Sequence, residues 1–197
     1  MATILWLLLV IFAQGIVIFY PGVFVFWLIM HSQIDRWRKV GKRAFWIASI
    51  GWPLTAGPLL YFRREVFATR WTMPPFAQIL GVIAFLFAVA LFLATSKHMR
   101  LRTLVGVAEL EPERVRQPIL NSGIYSRSRN PIYLAHWLLI VSAALMTGFV
   151  ANWAGVIVDC VVLPLMIRFE ERELLARYGS EFAAYMRRVP RFFPKLR

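Results

Sequence analysis

The chain has 197 residues, of which 59% are hydrophobic and 17% are charged. A soluble domain averages about 45–50% apolar and about 25% charged residues, so this composition excludes an ordinary soluble protein and indicates a membrane protein. The formal net charge of +13 comes from basic residues clustered between apolar runs, which favours anionic lipid headgroups over nucleic acid as the partner. Cys160 is the single cysteine, which excludes an internal disulfide and a multi-cysteine metal site.

Five apolar runs follow one another along the chain, at residues 4–30, 44–62, 76–95, 132–150 and 152–167. A membrane helix needs about 20 apolar residues, so the first run is expected to be a retained helix, kinked or interrupted at Pro21. The last two runs are separated so little that they should form a tight antiparallel hairpin. The sequence therefore predicts an all-α, polytopic membrane protein with about five transmembrane helices, folded as a single domain.

The lysines and arginines between these runs predict an orientation. Alternate connections place 20 basic residues on one side of the membrane and 3 on the other. Basic connections stay in the cytoplasm, so we expect the N-terminus outside and the C-terminus inside. If the first run turned back at Pro21, only the N-terminus would change sides. Residues 96–197 hold the two polar stretches that are long enough to build a site, and both are expected on the cytoplasmic face, after the membrane helices of residues 1–95.

A helix start is predicted at Asn130 and Pro131. Asparagine is a good N-cap and proline a preferred first helical residue. The free N–H groups of this helix end, with Arg129 beside them, predict an anion site at the membrane surface. Tyr125 and Tyr133 add aromatic faces for a cation. An ordinary capped helix flanked by headgroup-binding arginines is the alternative.

A charged segment, Arg168 to Glu173, follows the fifth run directly. Charges at the end of an apolar span must be paired or hydrated, which makes this segment a candidate site. Apolar side chains then recur at helical spacing and predict a C-terminal cytoplasmic amphipathic helix with a break at Gly179. A solvated amphipathic tail is the alternative.

The ordered motifs between residues 117 and 194 carry a family resemblance. They are Gly-Ile-Tyr, Arg-Asn-Pro-Ile-Tyr, the apolar hairpin, Glu-Glu-Arg-Glu-Leu-Leu, Tyr-Gly-Ser-Glu-Phe and Arg-Val-Pro-Arg. In this order they resemble the C-terminal half of the isoprenylcysteine carboxyl methyltransferase family, which is allied to the phospholipid methyltransferases. A composite of this kind is far more specific than any of its parts.

The resemblance implies methyl transfer from S-adenosylmethionine to a lipid or lipidated acceptor that reaches the site from the bilayer. It implies cofactor contacts from Gln117, Pro118, Ile119, Leu120, Tyr125, Asn130, Pro131, Ile132, Tyr133 and Glu170. It implies a catalytic role for Arg168 as the residue that holds the substrate, with Glu171 the second choice for the cofactor glutamate. Two positions depart from the family: Asn130 replaces a histidine, and Met166 stands where some members have the substrate arginine, so Arg168 is a near match.

The acceptor decides which further groups are needed. A lipid carboxylate is ionised at neutral pH and needs only a cation such as Arg168 to orient it. A phospholipid amine must first lose a proton, which requires a carboxylate such as Glu171 or Glu173. A thiol is a third possibility. No metal is needed for any of these reactions.

Two other functions remain open from the sequence. Related membrane folds include sterol reductases, in which the equivalent cavity holds NADPH. The 2′-phosphate of NADPH requires an arginine cluster, which this chain offers at Arg114, Arg116, Arg127 and Arg129. A non-catalytic membrane protein that keeps the fold is the second alternative, and Asn130 in place of histidine favours it.

Overall fold

The computed structural model describes residues 2–41, 43–98, 110–111 and 118–193, which are helical apart from short connections. The α-helices are α1 Ala2–Ser32, α2 Ile34–Val40, α3 Arg43–Ser49, α4 Gly51–Tyr61, α5 Arg63–Val66, α6 Pro75–Ser96, α7 Pro131–Thr147 and α8 Val150–Arg188. A 3-10 turn at Gly123–Ser126 precedes α7. Within the described ranges an isolated bridge between Arg70 and Phe149 is the only β pairing. The all-α prediction is confirmed.

Three of these helices are long and apolar enough to cross a membrane: α1, α6 and α8. The apolar helix α7 is shorter. Large apolar side chains on the outer faces of these helices are exposed, as at Leu80, Ile83 and Leu86 of α6. Apolar side chains turned outward along whole helices are what a lipid environment requires. The chain is therefore a helical membrane protein, while its sidedness stays a prediction.

The helix α1 continues through Pro21 without interruption. Its 31 residues correspond to about 46 Å of helix, more than the roughly 30 Å hydrocarbon core. Of the two expected effects of Pro21, a kink or an interruption, the interruption is excluded, and the chain does not turn back at this proline. The last turn of α1 carries His31, shortly before the basic residues that begin at Arg36.

The second apolar run is divided into two helices, α3 and α4, which meet at Ile50. Pro53 has no N–H group to donate to the Ser49 carbonyl, and at the junction the Ile50 N–H donates three residues back, to Ile47 O at 3.2 Å, as in a 3-10 turn. Neither helix alone spans the hydrocarbon core, since they are about 10 and 16 Å long. The second run is therefore built of two consecutive helices, and the count of five crossings stays a prediction.

The predicted hairpin is confirmed by the tight connection between α7 and α8. Gly148 ends α7 with φ 74°, a left-handed conformation, and a Cβ at this position would lie 2.0 Å from the carbonyl oxygen of Trp71. The Trp71 N–H donates to Gly148 O at 2.8 Å, which fixes the chain before α6 to the tip of the hairpin.

The helix α8 extends far beyond the fifth apolar run and includes the predicted amphipathic segment. Its one non-helical residue is Gly179, with φ 55° and ψ −128°, which confirms the break predicted there. The helix α6 packs along α7, while α1 contacts α4, α7 and α8. The helices α1, α7 and α8 are therefore mutual neighbours.

Candidate functional site

A cavity of about 580 Å³ lies among α1, α4, α6, the 3-10 turn, α7 and α8. Sites for small molecules and cofactors usually enclose about 300–1,000 Å³, so this volume suits a nucleoside-sized ligand. Its walls combine aromatic rings with carboxylate, guanidinium and amide groups. The cavity is therefore the candidate site of the part of the chain that the structure describes.

Most of the residues implied by the family resemblance line this cavity. They are Pro118, Ile119, Leu120, Tyr125, Asn130, Ile132, Tyr133, Glu170 and Glu171. Pro131 is buried at the start of α7 but does not line the cavity. Arg168 is exposed and also lies outside the lining. Gln117 is outside the described residues, and the functional roles of the whole set stay predictions.

The start of α7 agrees with the local prediction, but the Asn130 side chain has a different partner. Asn130 occupies the N-cap position and Pro131 the first turn, as expected. The Asn130 amide makes no capping hydrogen bond and instead donates from Nδ2 to Arg191 O at 3.0 Å. Ile132 and Tyr133, in the first turn of α7 where the N–H groups lack intrahelical acceptors, line the cavity.

Glu171 is held by two arginines. Its Oε1 accepts from Nε and Nη2 of Arg129 at 3.0 and 2.7 Å, and its Oε2 accepts from Nε and Nη2 of Arg191 at 3.1 and 2.6 Å. Paired guanidinium–carboxylate contacts of this type are the strong, directional ones. Both oxygens are engaged, so this carboxylate serves as a fixed junction more readily than as a proton acceptor.

Residues 189–193 form a segment that we call the C-terminal strap. Three consecutive residues before α7 hold it: Ser128 Oγ donates to Phe192 O at 2.6 Å, Arg129 N to Pro190 O at 3.0 Å, and Asn130 Nδ2 to Arg191 O at 3.0 Å. The Arg129 Nη1 group also donates to Met186 O at 2.8 Å and to Val189 O. The strap thus fixes the end of α8 against the start of α7.

Glu170 presents the least satisfied acidic group of the cavity. Tyr133 hydrogen-bonds to its carboxylate. The Oε2 atom is buried and has no hydrogen-bond partner among the described residues. Buried polar atoms are nearly always paired, so an unpaired oxygen in a cavity wall indicates a place for a donor from a ligand.

Tyr125 adds an aromatic face close to this carboxylate. Burial raises the pKa of its hydroxyl above the ordinary value, so the side chain stays neutral. The Tyr185 hydroxyl donates to Tyr125 O at 2.7 Å and fixes the turn that carries the ring. Neutral rings beside a carboxylate suit a bound cation.

The side of the cavity formed by α1 and α4 was not predicted. Val23, Phe24, Trp27 and His31 of α1 line it, and Trp52 of α4 faces them. The α1 side chains are spaced three to four residues apart and therefore lie on one helix face. This spacing was the signal in the sequence from which this side of the cavity could have been found. Arg177 of α8 also lines the cavity and was not singled out.

A comparison with protein families gives a match to the profile described as phospholipid methyltransferase, over residues 76–181. This range covers more than half of the chain and includes α6, α7 and most of α8. The chain belongs to the phospholipid methyltransferase family. The resemblance drawn from the motifs is thereby confirmed at the level of the family, whereas α1 and α4 lie outside the matched range.

Two curated proteins are similar to this membrane protein of the phospholipid methyltransferase family. The cobalt-zinc-cadmium resistance protein CzcN of Cupriavidus metallidurans is 37% identical over 84 residues, which are 42% of this chain and 38% of that protein. The nickel-cobalt-cadmium resistance protein NccN of Alcaligenes xylosoxydans xylosoxydans is 35% identical over 79 residues, which are 40% of this chain and 37% of that protein. The similarity spans about two fifths of the length of these relatives.

Proposed function

We propose that this protein transfers a methyl group from S-adenosylmethionine to a lipid-like acceptor at the cytoplasmic face of the membrane. The observation that carries the proposal is the cavity in which the start of α7, Glu170 and the rings of Tyr125 and Tyr133 come together. These groups come from motifs about 40 residues apart in the chain, and all of them lie within the family match.

The residues of the cavity fit the charges of the proposed cofactor. Its ammonium group suits the unpaired Oε2 of Glu170. Its carboxylate suits the first-turn N–H groups of α7, because a helix N-terminus attracts anions. Its sulfonium suits the faces of Tyr125 and Tyr133. When bound, the cofactor supplies an activated methyl group.

The protein's own contribution is alignment and the exclusion of water. Holding donor and acceptor in reacting geometry can supply about 7–11 kcal/mol of the barrier. The C-terminal strap and the ion pairs of Glu171 keep α7 and α8 in fixed positions, so that Tyr133 and Glu170 face the same space. The acceptor enters from the bilayer, which its lipid-like character allows. The basic connections support the cytoplasmic placement.

Two of the arginines that the sequence offers for the 2′-phosphate of NADPH are not placed to bind it. Arg129, one of the arginines available for a 2′-phosphate, uses Nε and Nη2 on Glu171 and Nη1 on main-chain carbonyls. Arg127 is exposed and does not line the cavity. Arg114 and Arg116 are outside the described residues.

The proposal is tested by binding and by methyl transfer with the purified protein in detergent or lipid. Titration calorimetry with S-adenosylmethionine should detect binding to the wild type, and Glu170→Gln should weaken it about 10- to 150-fold. This range corresponds to the about 1.5–3 kcal/mol of a hydrogen bond to a charged group. The matched control is Glu181→Gln, since Glu181 is exposed on the same helix.

Two outcomes would contradict the proposal. If the wild type did not bind the cofactor, the proposal that this protein is an enzyme would be wrong. Binding without any transfer of a labelled methyl group to total membrane lipids would favour a non-catalytic protein that keeps the fold.

A further inference from the structure

A threonine on α6 differs from the other buried hydroxyl groups of the helices. Within the described residues the helices bury three serine or threonine side chains, Thr95, Ser142 and Thr147. Ser142 and Thr147 donate to main-chain carbonyls three or four residues earlier in α7, at 2.7 and 2.6 Å, which is the usual bond of a hydroxyl inside a helix. Thr95 is 1% exposed and borders the cavity, and its hydroxyl has no hydrogen-bond partner in the part of the chain that the structure describes. This hydroxyl is therefore left for a ligand.

Tyr125 carries a second hydroxyl of this kind beside Thr95. The side chain is 5% exposed and borders the cavity, and its hydroxyl is also buried without a hydrogen-bond partner among the described residues. The Thr95 hydroxyl lies close enough to act on it, but the two groups do not reach the geometry of a hydrogen bond. Two neighbouring hydroxyls in one wall therefore keep their hydrogen-bonding capacity for a ligand.

Close packing fixes the two hydroxyls relative to each other. The chain after Thr95 turns so that the His98 N–H donates to Thr95 O at 3.0 Å. The His98 ring lies against Gly123, where φ is 56° and a Cβ would overlap the ring. Gly123 begins the 3-10 turn that carries Tyr125, and the Tyr185 hydroxyl holds this turn by donating to Tyr125 O at 2.7 Å. A site fixed in this way is suited to distinguish small polar groups of a ligand.

The chemistry of the pair matches a vicinal diol. A hydroxyl donates one hydrogen bond and also accepts, so two adjacent hydroxyls can bind two adjacent hydroxyls with every proton used. Neither group of the pair carries a charge, whereas the charged parts of the proposed cofactor are matched by Glu170 and by the start of α7. The polar part of the cofactor nearest to its sulfonium is the ribose, which is joined to the sulfur through one methylene carbon.

The position of the pair favours the ribose over the adenine ring. Tyr125 lies close enough to Glu170 for the charge of that carboxylate to act on it. The face of the Tyr125 ring is also one of the two proposed for the sulfonium. The hydroxyl pair is therefore near the amino-acid end of the cofactor, and the adenine lies beyond the ribose from this end.

We propose that Thr95 and Tyr125 bind the 2′- and 3′-hydroxyls of the cofactor ribose and make the cavity selective for a ribonucleoside. This inference rests on the proposed function and adds to the site a residue of α6, which precedes all the motifs of residues 117–194. Selectivity follows because a ligand that lacks one ribose hydroxyl leaves a buried protein hydroxyl without a partner.

The experiment measures the binding of three ligands to the full chain in detergent or lipid by titration calorimetry. The ligands are S-adenosylmethionine and its 2′-deoxy and 3′-deoxy analogues. The wild type should bind each analogue about 2- to 12-fold more weakly than the parent, which is the range for one neutral hydrogen bond. The ratio of two Kd values on one protein does not depend on the stability of that protein.

Two variants remove the hydroxyls one at a time. Thr95→Val and Tyr125→Phe nearly keep the shapes of their side chains, and each should abolish the discrimination against one of the two analogues. Thr95→Ser keeps a hydroxyl and should keep the wild-type ratios. A side chain with only a structural role would weaken all three ligands equally and leave the ratios unchanged.

The matched control is Thr147→Val. Thr147 is also buried, but its hydroxyl bonds within its own helix and the residue lies outside the cavity lining. The ratios of the three Kd values should therefore stay at their wild-type values in this variant.

The outcomes separate this inference from the proposed function. If the wild type bound all three ligands with the same Kd, the inference would be wrong while the cofactor site remained. If either Thr95→Val or Tyr125→Phe kept both wild-type ratios, the inference would also be overturned. If the wild type did not bind S-adenosylmethionine at all, the inference and the proposed function would both be wrong.

Discussion

The cavity has two walls of different chemistry. The polar wall, formed by the 3-10 turn, α7 and α8, carries Tyr125, Asn130, Tyr133, Glu170 and Glu171, and ion pairs and hydrogen bonds hold it together. The aromatic wall, formed by α1 and α4, carries Val23, Phe24, Trp27, His31 and Trp52.

The difference between the two walls indicates how the site divides its tasks. Directional bonds fix side chains within a narrow geometry, which a charged cofactor requires. Apolar contacts are not directional and accept ligands of varied shape, which suits a lipid. A substitution in the polar wall should therefore affect the stability of the fold and cofactor binding together. A substitution in the aromatic wall should affect the binding of the acceptor.

Glu171→Ala should have the largest effect on the polar wall. The substitution removes the partner of two arginines, and the side chain of Arg129 is only 9% exposed. Leaving a buried charge without its partner costs about 3–5 kcal/mol. Arg191, at 41% exposed, is screened by water and contributes less. The free energy of unfolding, measured by denaturant titration in detergent, should fall by about this amount, and cofactor binding should weaken with it.

The matched control for this change is Glu181→Ala on the exposed side of α8. Surface substitutions usually stay within about 0.5 kcal/mol of the wild type. If the two variants unfolded at the same denaturant concentration, the ion pairs would not support the polar wall, and the contrast between the walls would be lost.

Much of the polar wall could be predicted from the sequence because its chemistry is local. Asn130 and Pro131 indicate a helix start from their own backbone preferences, and the glutamates follow the hairpin directly. The strap could not be predicted, since residues 128–130 bond to main-chain carbonyls about 60 residues away, and any residue type offers a carbonyl.

The aromatic wall was missed for a different reason. That Trp27 and His31 line the cavity depends on how α1 crosses α8, and no local pattern encodes that crossing. Arg168 lies outside the cavity for a reason of helix geometry, which the comparison of motifs did not include. Two residues along a helix correspond to about 200° of rotation, so a helix that turns Glu170 to the cavity turns Arg168 away.

Asn130→Ala should have an intermediate effect, and Asn130→His should reverse most of it. The alanine removes the donor to Arg191 O and leaves that carbonyl of the strap without its partner, at a cost of about 1–3 kcal/mol. Histidine, which is usual at this position in the isoprenylcysteine carboxyl methyltransferase family, can donate from a ring N–H to the same carbonyl. Denaturant titration of both variants, with cofactor binding measured in parallel, checks the expected order of stability.

The comparison with histidine also shows what Asn130 does. If the alanine variant bound the cofactor as well as the wild type while losing stability, Asn130 would hold the strap without touching the ligand. If Asn130→His lost stability or cofactor binding and Asn130→Ala did not, the contact with the strap would require the smaller amide. The proposed equivalence of asparagine and histidine at this position would then be wrong.

Arg168→Ala should have the smallest effect, although the family resemblance implies a catalytic role for this residue. The side chain is exposed and outside the cavity lining, so its loss should change cofactor binding and lipid methylation by no more than about twofold, the range of a surface substitution. Arg177→Ala is the matched comparison, because Arg177 lies on the same helix and lines the cavity, and its removal should lower methylation further. Labelled methyl transfer in vesicles measures both. A large loss in Arg168→Ala with unchanged cofactor Kd would mean that the acceptor reaches around α8 to this arginine, and that the aromatic wall alone does not receive the lipid.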